Sequence, residues 1–203
     1  MRPFIRETAI AAPLPGRNLD TDQIIPARFL KHDRAEGYGR FLLHDLRFHA
    51  DGSEREDFVL NRDPYRRAAI LVTDENFGCG SSREGAVYAL ADYGVRALIG
   101  PSFGDIFYNN ALKNGIVPAA LPGEIVDVLR NQLERAPGAQ ATVDVEARRV
   151  ILPDGAEHPF EIDAFWRECL LKGLDEIELT QSYLVEIESF EGTYLPASPW
   201  IAR

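Results

Sequence analysis

The sequence predicts a mixed α/β fold with a mostly parallel core sheet and an added layer of antiparallel strands. Strand-like and helix-like segments alternate between residues 68 and 136, and an alternation of this kind favours a parallel sheet. After Pro137 and Gly138, apolar and polar residues alternate around Asp154–Gly155, which is typical of antiparallel strands joined by a hairpin turn. No clear linker divides the chain, so we expect one domain over residues 1–203.

The N-terminal part of the chain contains one predicted strand and several loops. The segment FIRETAIAAPLPG (4–16) predicts a strand that ends in a proline–glycine turn. NLDTDQIIPARFL (18–30) predicts a polar loop, and GYGRFLLHDLRF (37–48) predicts a short helix. HADGSEREDF (49–58) is charged, contains glycine and predicts a further loop.

The alternating region supplies the predicted core. Its strands are expected at 68–73, 95–100 and 116–121. Its helices are expected at 83–93, 102–115 and 123–136, and Gly115 is the expected stop of the second one. Two further helical segments, 163–174 and 174–194, are expected to close the chain.

Composition and charge argue against some classes of partner. The chain carries 22 basic and 32 acidic residues, a net charge of -10, which argues against nucleic acid. No apolar run approaches the ~20 residues that a membrane-spanning helix needs. The N-terminal segment MRPFIRETAIAAPLPG lacks the basic and apolar regions of a signal peptide. We therefore expect a cytoplasmic protein that contacts neither nucleic acid nor a membrane.

Metal-ligating residues are sparse in the sequence. Cys79 and Cys169 are the only cysteines, lie far apart and form no CxxC, so neither a disulfide framework nor a zinc site is indicated. The four histidines show no ligand spacing. Residues 18–29 begin like a calcium loop, but Gln23 stands where that loop needs glycine and Phe29 where it needs glutamate. We expect this chain to bind no metal.

The segment ENFGCGSSREGAVYAL (75–90) is the strongest candidate site in the sequence. Gly78 and Gly80 allow a sharp turn from strand to helix. Ser81-x-x-Glu84 fits a capping box, which would explain Ser81 structurally but leaves the next serine and Arg83 unexplained. A helix start that presents hydroxyls and an arginine is suited to an anion, and the planar guanidinium fits a carboxylate or a phosphate.

Familiar glycine loops do not fit this segment. A dinucleotide fingerprint needs glycine where Arg83 stands, and a P-loop needs a lysine that is absent. A nucleophile elbow needs GxSxG, which is also absent. Cys79 has no histidine nearby in the sequence, so a structural role is favoured over a nucleophilic one.

Three segments together resemble a known family. ENFGCGSSRE, ALADYGVRALIGPSFGDIFYNNALKNGIVP and NLDTDQIIPARFL are similar to the small subunits of bacterial 3-isopropylmalate dehydratase, also called isopropylmalate isomerase. Such a subunit corresponds to the swivelling domain of the aconitase superfamily. The similarity covers nearly the whole chain and implies a three-layer β/β/α swivelling domain.

The resemblance also implies an activity and a partner. The family interconverts 2-isopropylmalate and 3-isopropylmalate in leucine biosynthesis, by removing water to an alkene and adding it back in the other sense. The resemblance implies a 4Fe-4S cluster held by cysteines of the large subunit, and this chain cannot supply three cysteine ligands. The implied assembly is therefore a heterodimer with a cluster-bearing large subunit and a small alkylmalate as substrate.

Residue roles follow from matching the family motif position by position. The match makes Ser81 the base that removes the proton next to a carboxylate, and Ser82 and Arg83 groups that bind a substrate carboxylate. Thr21 and Asp22 are expected to position these residues without contacting the substrate themselves. The alternative for Arg83 is a structural ion pair with Asp22 or with the glutamate that follows it.

The sequence departs from the family pattern at two places. Gly85 stands where the family motif continues with histidine. In the family's recognition region, here KHDRAEGYG (31–39), Asp33 and Arg34 replace an apolar and a hydroxyl residue, and both are candidate substrate contacts. A charge that faced an isopropyl group would be costly to bury. The alternatives are therefore a subunit acting on another alkylmalate, such as 2,3-dimethylmalate or citramalate, and a catalytically silent anion-binding subunit.

Overall fold

The computed structural model describes residues 1–198, 200 and 201. Its strands are β1 (Arg6–Leu14), β2 (Ile70–Thr73), β3 (Ala97–Gly100), β4 (Val117–Ala120), β5 (Gln140–Asp144), β6 (Arg149–Ile151) and β7 (Glu157–Pro159). Its α-helices are α1 (Thr21–Ile24), α2 (His44–Arg47), α3 (Glu84–Tyr93), α4 (Asp105–Lys113), α5 (Gly123–Arg135), α6 (Ala164–Lys172), α7 (Glu176–Gln181) and α8 (Leu184–Ala197). Short 3₁₀ turns lie at Ala27–Lys31, Arg34–Glu36, Gly39–Phe41, Val59–Asn61 and Tyr65–Arg67.

The seven strands form one curled, mixed sheet in the order β4-β3-β2-β1-β5-β6-β7. The C-terminal half of β1, from Ala11, pairs in parallel with β2, while its N-terminal half, from Arg6 to Ile10, pairs antiparallel with β5. One strand thus joins a parallel core, β1 to β4, to an antiparallel extension, β5 to β7. The predicted mixed fold is confirmed, as is the hairpin turn at Asp154–Gly155, which links β6 to β7.

Two cores cover the two faces of the parallel strands. Leu71 and Leu98 point into a core shared with the N-terminal loops and α3, whereas Ile70, Val72 and Ile99 point into a core shared with α4, α5 and α6. All four residues of β2 are buried. This burial on both faces explains why the predicted core strands are continuously apolar instead of alternating.

The structure corrects the prediction of an irregular polar loop at 18–30. Asp20 caps the short helix α1: its carboxylate accepts from the Gln23 backbone N–H at 2.8 Å, and the Gln23 side chain accepts from the Asp20 N–H at 3.0 Å. Two acidic or amide residues at this spacing form a capping box, so the segment carries a helix-start signal that the loop prediction missed.

Two predicted helices are each divided in the structure. The segment 37–48 contains a 3₁₀ turn and α2, interrupted at Leu43, whose φ of 49° lies outside the helical range. The segment 174–194 forms α7 and α8, which are separated at Ser182 and Tyr183. None of the helices in the described part of the chain combines the length and the apolar character needed to cross a membrane.

Candidate functional site

Three loops meet at the carboxyl edge of the parallel strands. They follow β1, β2 and β3, and ligands in open α/β sheets bind at this edge. The Gly78 N–H donates to the Leu19 carbonyl at 2.7 Å, and the Thr21 N–H donates to the Cys79 carbonyl at 3.0 Å. The Gly104 N–H donates to the Phe77 carbonyl at 2.9 Å. Backbone hydrogen bonds therefore fix the glycine–serine loop between its two neighbours.

The glycines of this loop are required by close packing. Gly78 has a φ of +75°, and a Cβ atom there would lie 2.2 Å from the ring of Phe107. A Cβ on Gly104 would lie 2.7 Å from the carbonyl oxygen of Gly78. Only residues without a side chain allow the loop after β2 and the start of α4 to approach this closely. The predicted sharp glycine turn is confirmed.

Ser81 does not cap the helix that follows it. The helix α3 begins at Glu84, its N-cap residue is Arg83, and no side chain caps it. The backbone of Arg83 is extended, with φ -82° and ψ 101°, so the chain is not yet helical two residues after Ser81. The capping-box interpretation of Ser81 and Glu84 is therefore wrong. Ser81 and Ser82 precede the helix and are both exposed.

The Ser81 hydroxyl lies next to a buried threonine. Thr21 is only 2% exposed, and its Oγ1 lies 3.1 Å from Ser81 Oγ and 3.1 Å from the Ser81 carbonyl oxygen. A hydroxyl has one hydrogen to donate, so Thr21 serves one of these two acceptors at a time. When it serves the carbonyl, the Ser81 hydroxyl can donate to Thr21. When it serves Ser81 Oγ, it can stabilise negative charge on that oxygen.

Arg83 forms an ion pair with Asp22, one of the two alternatives the sequence left open. Its Nη1 donates to Asp22 Oδ1, and this hydrogen bond is the main reason why the pKa of Asp22 lies below its usual value. The pair joins the loop before α3 to the first turn of α1. Because a guanidinium has five N–H donors, this bond leaves donors for an anion.

A shallow depression of about 280 Å³ adjoins Ser81. It is lined by the glycine–serine loop and the first turn of α4, namely Asn76, Gly78, Cys79, Gly80, Ser81, Gly104, Asp105, Ile106 and Phe107. Sequence reasoning missed the contribution of α4, although the glycine before Asp105 signals a close backbone approach. Its N-terminus adds a second set of helix N–H groups near Ser81.

The thiol of Cys79 faces the same region. The side chain is partly exposed, and Sγ donates to the Asn18 carbonyl at 3.4 Å. In residues 1–198, 200 and 201, no three histidine, cysteine, aspartate or glutamate side chains come together in a way that could hold a metal ion.

Asp33 and Arg34 are both engaged within the chain. Asp33 accepts from the Ala35 N–H at 2.9 Å and caps a 3₁₀ turn. Arg34 binds both carboxylate oxygens of Asp92, at 2.5 and 3.0 Å, and its guanidinium lies 4.4 Å from the ring centre of Tyr88. The contacts of Arg34 are thus with the middle and the C-terminal end of α3, whereas Ser81 precedes its N-terminus.

A larger cavity, of about 560 Å³, lies elsewhere in the described structure. Pro13, Arg55, Asp57, Arg130 and Glu134 are among its lining residues, and none of the predicted site residues lines it. We place the candidate site at the smaller depression, because backbone hydrogen bonds and glycines shape the chain there around exposed reactive groups.

The fold, together with the loop in which two glycines precede Ser81, Ser82 and Arg83, defines a protein of the aconitase C-terminal domain class. The model of the aconitase C-terminal domain matches residues 1–124, and a second model, LeuD_N, matches residues 127–164.

Similar proteins that carry a name identify the family within this class. The chain is 52% identical over 203 residues to a protein of Gluconacetobacter diazotrophicus named 3-isopropylmalate dehydratase small subunit, covering all of this chain and 98% of the relative. It is 50% identical to the protein of that name from Roseobacter denitrificans, over 99% of this chain and 100% of the relative. The chain belongs to the family of 3-isopropylmalate dehydratase small subunits.

A solved structure agrees with this family. A crystal structure of 3-isopropylmalate dehydratase from Methanocaldococcus jannaschii superposes with a TM-score of 0.63 at 25% sequence identity. The match covers 91% of this chain and 99% of that one.

Proposed function

We propose that this protein is the small subunit of a 3-isopropylmalate dehydratase, a hydro-lyase that interconverts 2-isopropylmalate and 3-isopropylmalate in leucine biosynthesis. The observation that carries the proposal is the full-length similarity to subunits of that name, combined with an intact Ser81–Ser82–Arg83 loop at the carboxyl edge of the sheet. Residues 1–203 act as one unit in this role, and we place the enzyme in the cytoplasm.

Ser81 is the proposed proton acceptor of the reaction. A serine hydroxyl is a weak base at neutral pH, so the site must stabilise negative charge on its oxygen. Thr21 Oγ1, 3.1 Å away, can donate to that oxygen. The N-terminus of α3 and the guanidinium of Arg83 add positive potential close by. These groups make proton removal next to a carboxylate feasible at this position.

Ser82 and Arg83 are proposed to bind a substrate carboxylate. Arg83 is anchored by Asp22, which fixes the guanidinium and leaves part of its donor fork for the ligand. Asp22 and Thr21 are therefore positioning residues. They act through Arg83 and Ser81, respectively.

The 4Fe-4S cluster is proposed to come from the large subunit. This chain's two cysteines lie in different parts of the fold, one at the site and one buried in α6, so its residues do not fit a cysteine-held 4Fe-4S cluster. The large subunit is proposed to hold that cluster, which would supply a Lewis acid for the departing hydroxyl. The site of this chain is then one half of a composite active site.

The recognition region is compatible with an isopropyl group. Arg34 is paired with Asp92 and Asp33 caps a turn, so neither charge needs to face the substrate. The charges that favoured a different alkylmalate thus have partners within the chain. Selection by residues 31–39 is proposed to depend on the shape of the region, which Arg34 helps to maintain.

The test is co-expression with the large subunit, followed by anaerobic assay on a panel of alkylmalates. The expected result is interconversion of the two isopropylmalates with a kcat/KM above that for 2,3-dimethylmalate and citramalate. The large subunit alone is the control. An assembled enzyme that prefers citramalate would assign the chain to another hydro-lyase, and an assembled but inactive pair would support a silent subunit.

A further inference from the structure

The C-terminal helix α8 presents an apolar surface that the rest of the described chain does not cover. None of its fourteen residues is buried. Leu184, Ile187, Phe190 and Tyr194 follow one another at spacings of three, three and four, so they lie along one side of the helix. Phe190 is 60% exposed, Leu184 50% and Tyr194 43%. Side chains of this kind, grouped on one helix, mark an interaction surface.

The helix also has little intrinsic stability. Isolated helices shorter than about 12–15 residues are marginal in water even when rich in alanine. α8 has 14 residues, includes Gly192 and carries Pro196 in its last turn. Glycine and proline are the two weakest helix formers. Contact with another surface would therefore do most to stabilise this helix.

The charge of α7 and α8 indicates the character of the partner surface that α8 would contact. Residues 175–198 contain six acidic and no basic side chains. Three of the acids have local roles: Glu176 lies 3.2 Å from Lys113, and Asp175 and Glu178 form the capping box of α7. The other three, Glu186, Glu188 and Glu191, lie on α8 itself. Two copies of an acid-only helix would repel each other, so the surface fits an apolar groove with a basic rim.

We propose that α8 docks into an apolar, basic-rimmed groove of the large subunit; this inference rests on the proposed function. The start of α8 lies apart from the candidate site. The contact between Glu176 and Lys113 places α7 at the C-terminal end of α4, whereas the N-terminal turn of α4 lines the depression beside Ser81. α8 follows α7 and therefore starts at the far end of α4. Its proposed role is to hold the subunits together, and none of its residues lines the depression beside Ser81.

The first experiment measures the Kd of the purified large subunit for full-length variants of this chain. The double substitution Leu184→Gln and Phe190→Gln should raise the Kd at least about 30-fold, since apolar anchors at an interface each contribute more than about 1 kcal/mol. Val128→Gln is the matched control, because Val128 is also exposed, at 47%, but lies on α5. It should leave the Kd unchanged. At a saturating concentration of the double variant, kcat should equal that of the wild type.

The second experiment tests charge and order. Glu186→Lys with Glu188→Lys should weaken binding and reduce its dependence on salt. Backbone amides of α8 should exchange hydrogen rapidly in the isolated chain and become protected on addition of the large subunit.

Three results would overturn the inference. The α8 variants could bind the large subunit as tightly as the wild type, which would leave the proposed function standing. The isolated chain could form a dimer that Phe190→Gln dissociates, which would make a second copy the occupant. A wild-type chain that does not bind the large subunit at all would overturn the proposed function as well.

Discussion

At the scale of single residues, the position of Ser81 decides what its hydroxyl can do. In a capping box the hydroxyl would be occupied with a helix N–H. In the structure it lies instead beside Thr21 Oγ1 at 3.1 Å, in an exposed stretch before α3. A stabilising role through capping is thereby removed, and a role in chemistry becomes testable without a large effect on folding.

We expect Ser81→Ala to lower kcat of the assembled enzyme by about 10²–10⁴-fold, the range that a positioned proton-transfer group contributes. The melting temperature should hardly change, because no helix cap is lost. Ser53→Ala is a suitable control, since the Ser53 hydroxyl bonds only locally, to Asp51 at 2.6 Å. A Ser81→Ala enzyme with normal turnover would show that another group removes the proton.

The second prediction concerns how Arg83 and Asp22 affect KM. Arg83→Lys should raise KM, because an ammonium group cannot bind a carboxylate through two parallel N–H bonds. Asp22→Asn should raise KM less, since the guanidinium keeps its fork and loses only its anchor. An unchanged KM in Arg83→Lys would leave the guanidinium with a purely structural role.

The ion pair of Arg83 and Asp22 also predicts how the Asp22 carboxyl group titrates. The pKa of Asp22 is lowered, mainly by its hydrogen bond from Arg83. The pair therefore stabilises the fold above the usual aspartate pKa of about 4, and this contribution is lost as the pH falls through the lower folded value. Because the Asp22 side chain is about half exposed, the effect on stability is small. NMR titration of the carboxyl carbon should show the Asp22 pKa rising towards its usual value in Arg83→Gln, and no such rise would mean that the pair does not persist in solution.

At the scale of elements, Arg34 links the recognition region to α3. It binds Asp92 through two hydrogen bonds, and the Tyr38 N–H donates to the same carboxylate at 2.6 Å. Its guanidinium stacks over Tyr88, one turn before Asp92. The helix that begins beside Arg83 thus also fixes residues 31–39, so the proposed carboxylate-binding residues and the proposed recognition region share one support.

Loss of this link should loosen the region. We expect Arg34→Gln to speed hydrogen exchange in residues 31–39 and to reduce discrimination among alkylmalates, with a smaller effect on kcat. Arg149→Gln is the control, because Arg149 forms a comparable exposed pair with Glu157, at 2.5 Å on β6 and β7. Equal exchange rates in wild type and Arg34→Gln would show that the 3₁₀ turns hold the region by themselves.

Periodicity and turn residues were enough to predict most elements of this chain. The alternation of apolar strands with helices from β2 to α5 follows directly from burial on both faces of a parallel sheet. The glycine turn was likewise predictable, since the spacing of Gly78 and Gly80 limits the backbone. The start of α3 was not predictable. Ser81-x-x-Glu84 matches a capping box, but this spacing does not indicate that the backbone at Arg83 is extended. The pair of Arg34 and Asp92 joins residues 58 positions apart, and one sequence carries no signal for it.

Gly85 illustrates a related limit. The family resemblance marked it as a departure without indicating its effect. In the structure, a Cβ at this position would lie 2.6 Å from a methyl group of Leu30. The missing side chain therefore lets the 3₁₀ turn that carries Leu30 lie close against α3. Any larger residue would need this leucine to move.

At the scale of the whole molecule, the candidate site is open and the overall charge opposes the proposed substrate. The net charge is -10, so a dicarboxylate must be attracted by local groups such as Arg83 and two helix N-termini. Ser81 and Ser82 are exposed beside a depression of about 280 Å³. Charge stabilisation of a serine oxygen is weak in contact with bulk water and strong in an enclosed site. The chain alone therefore has the proposed catalytic and binding groups but not the enclosure that the proposed reaction needs.

This leads to the last prediction, that catalysis and the cluster both depend on the partner. The purified chain should contain no stoichiometric iron or acid-labile sulfide and should not turn over isopropylmalate, because its two cysteines lie apart and Ser81 is open to water. Mixing it anaerobically with the cluster-loaded large subunit should restore activity up to a one-to-one ratio. The Ser81→Ala chain is the control: it should assemble equally well, judged by size-exclusion chromatography, and restore almost no activity. A chain that turned over isopropylmalate without its partner would refute the composite site, since a single subunit would then supply both the base and the enclosure.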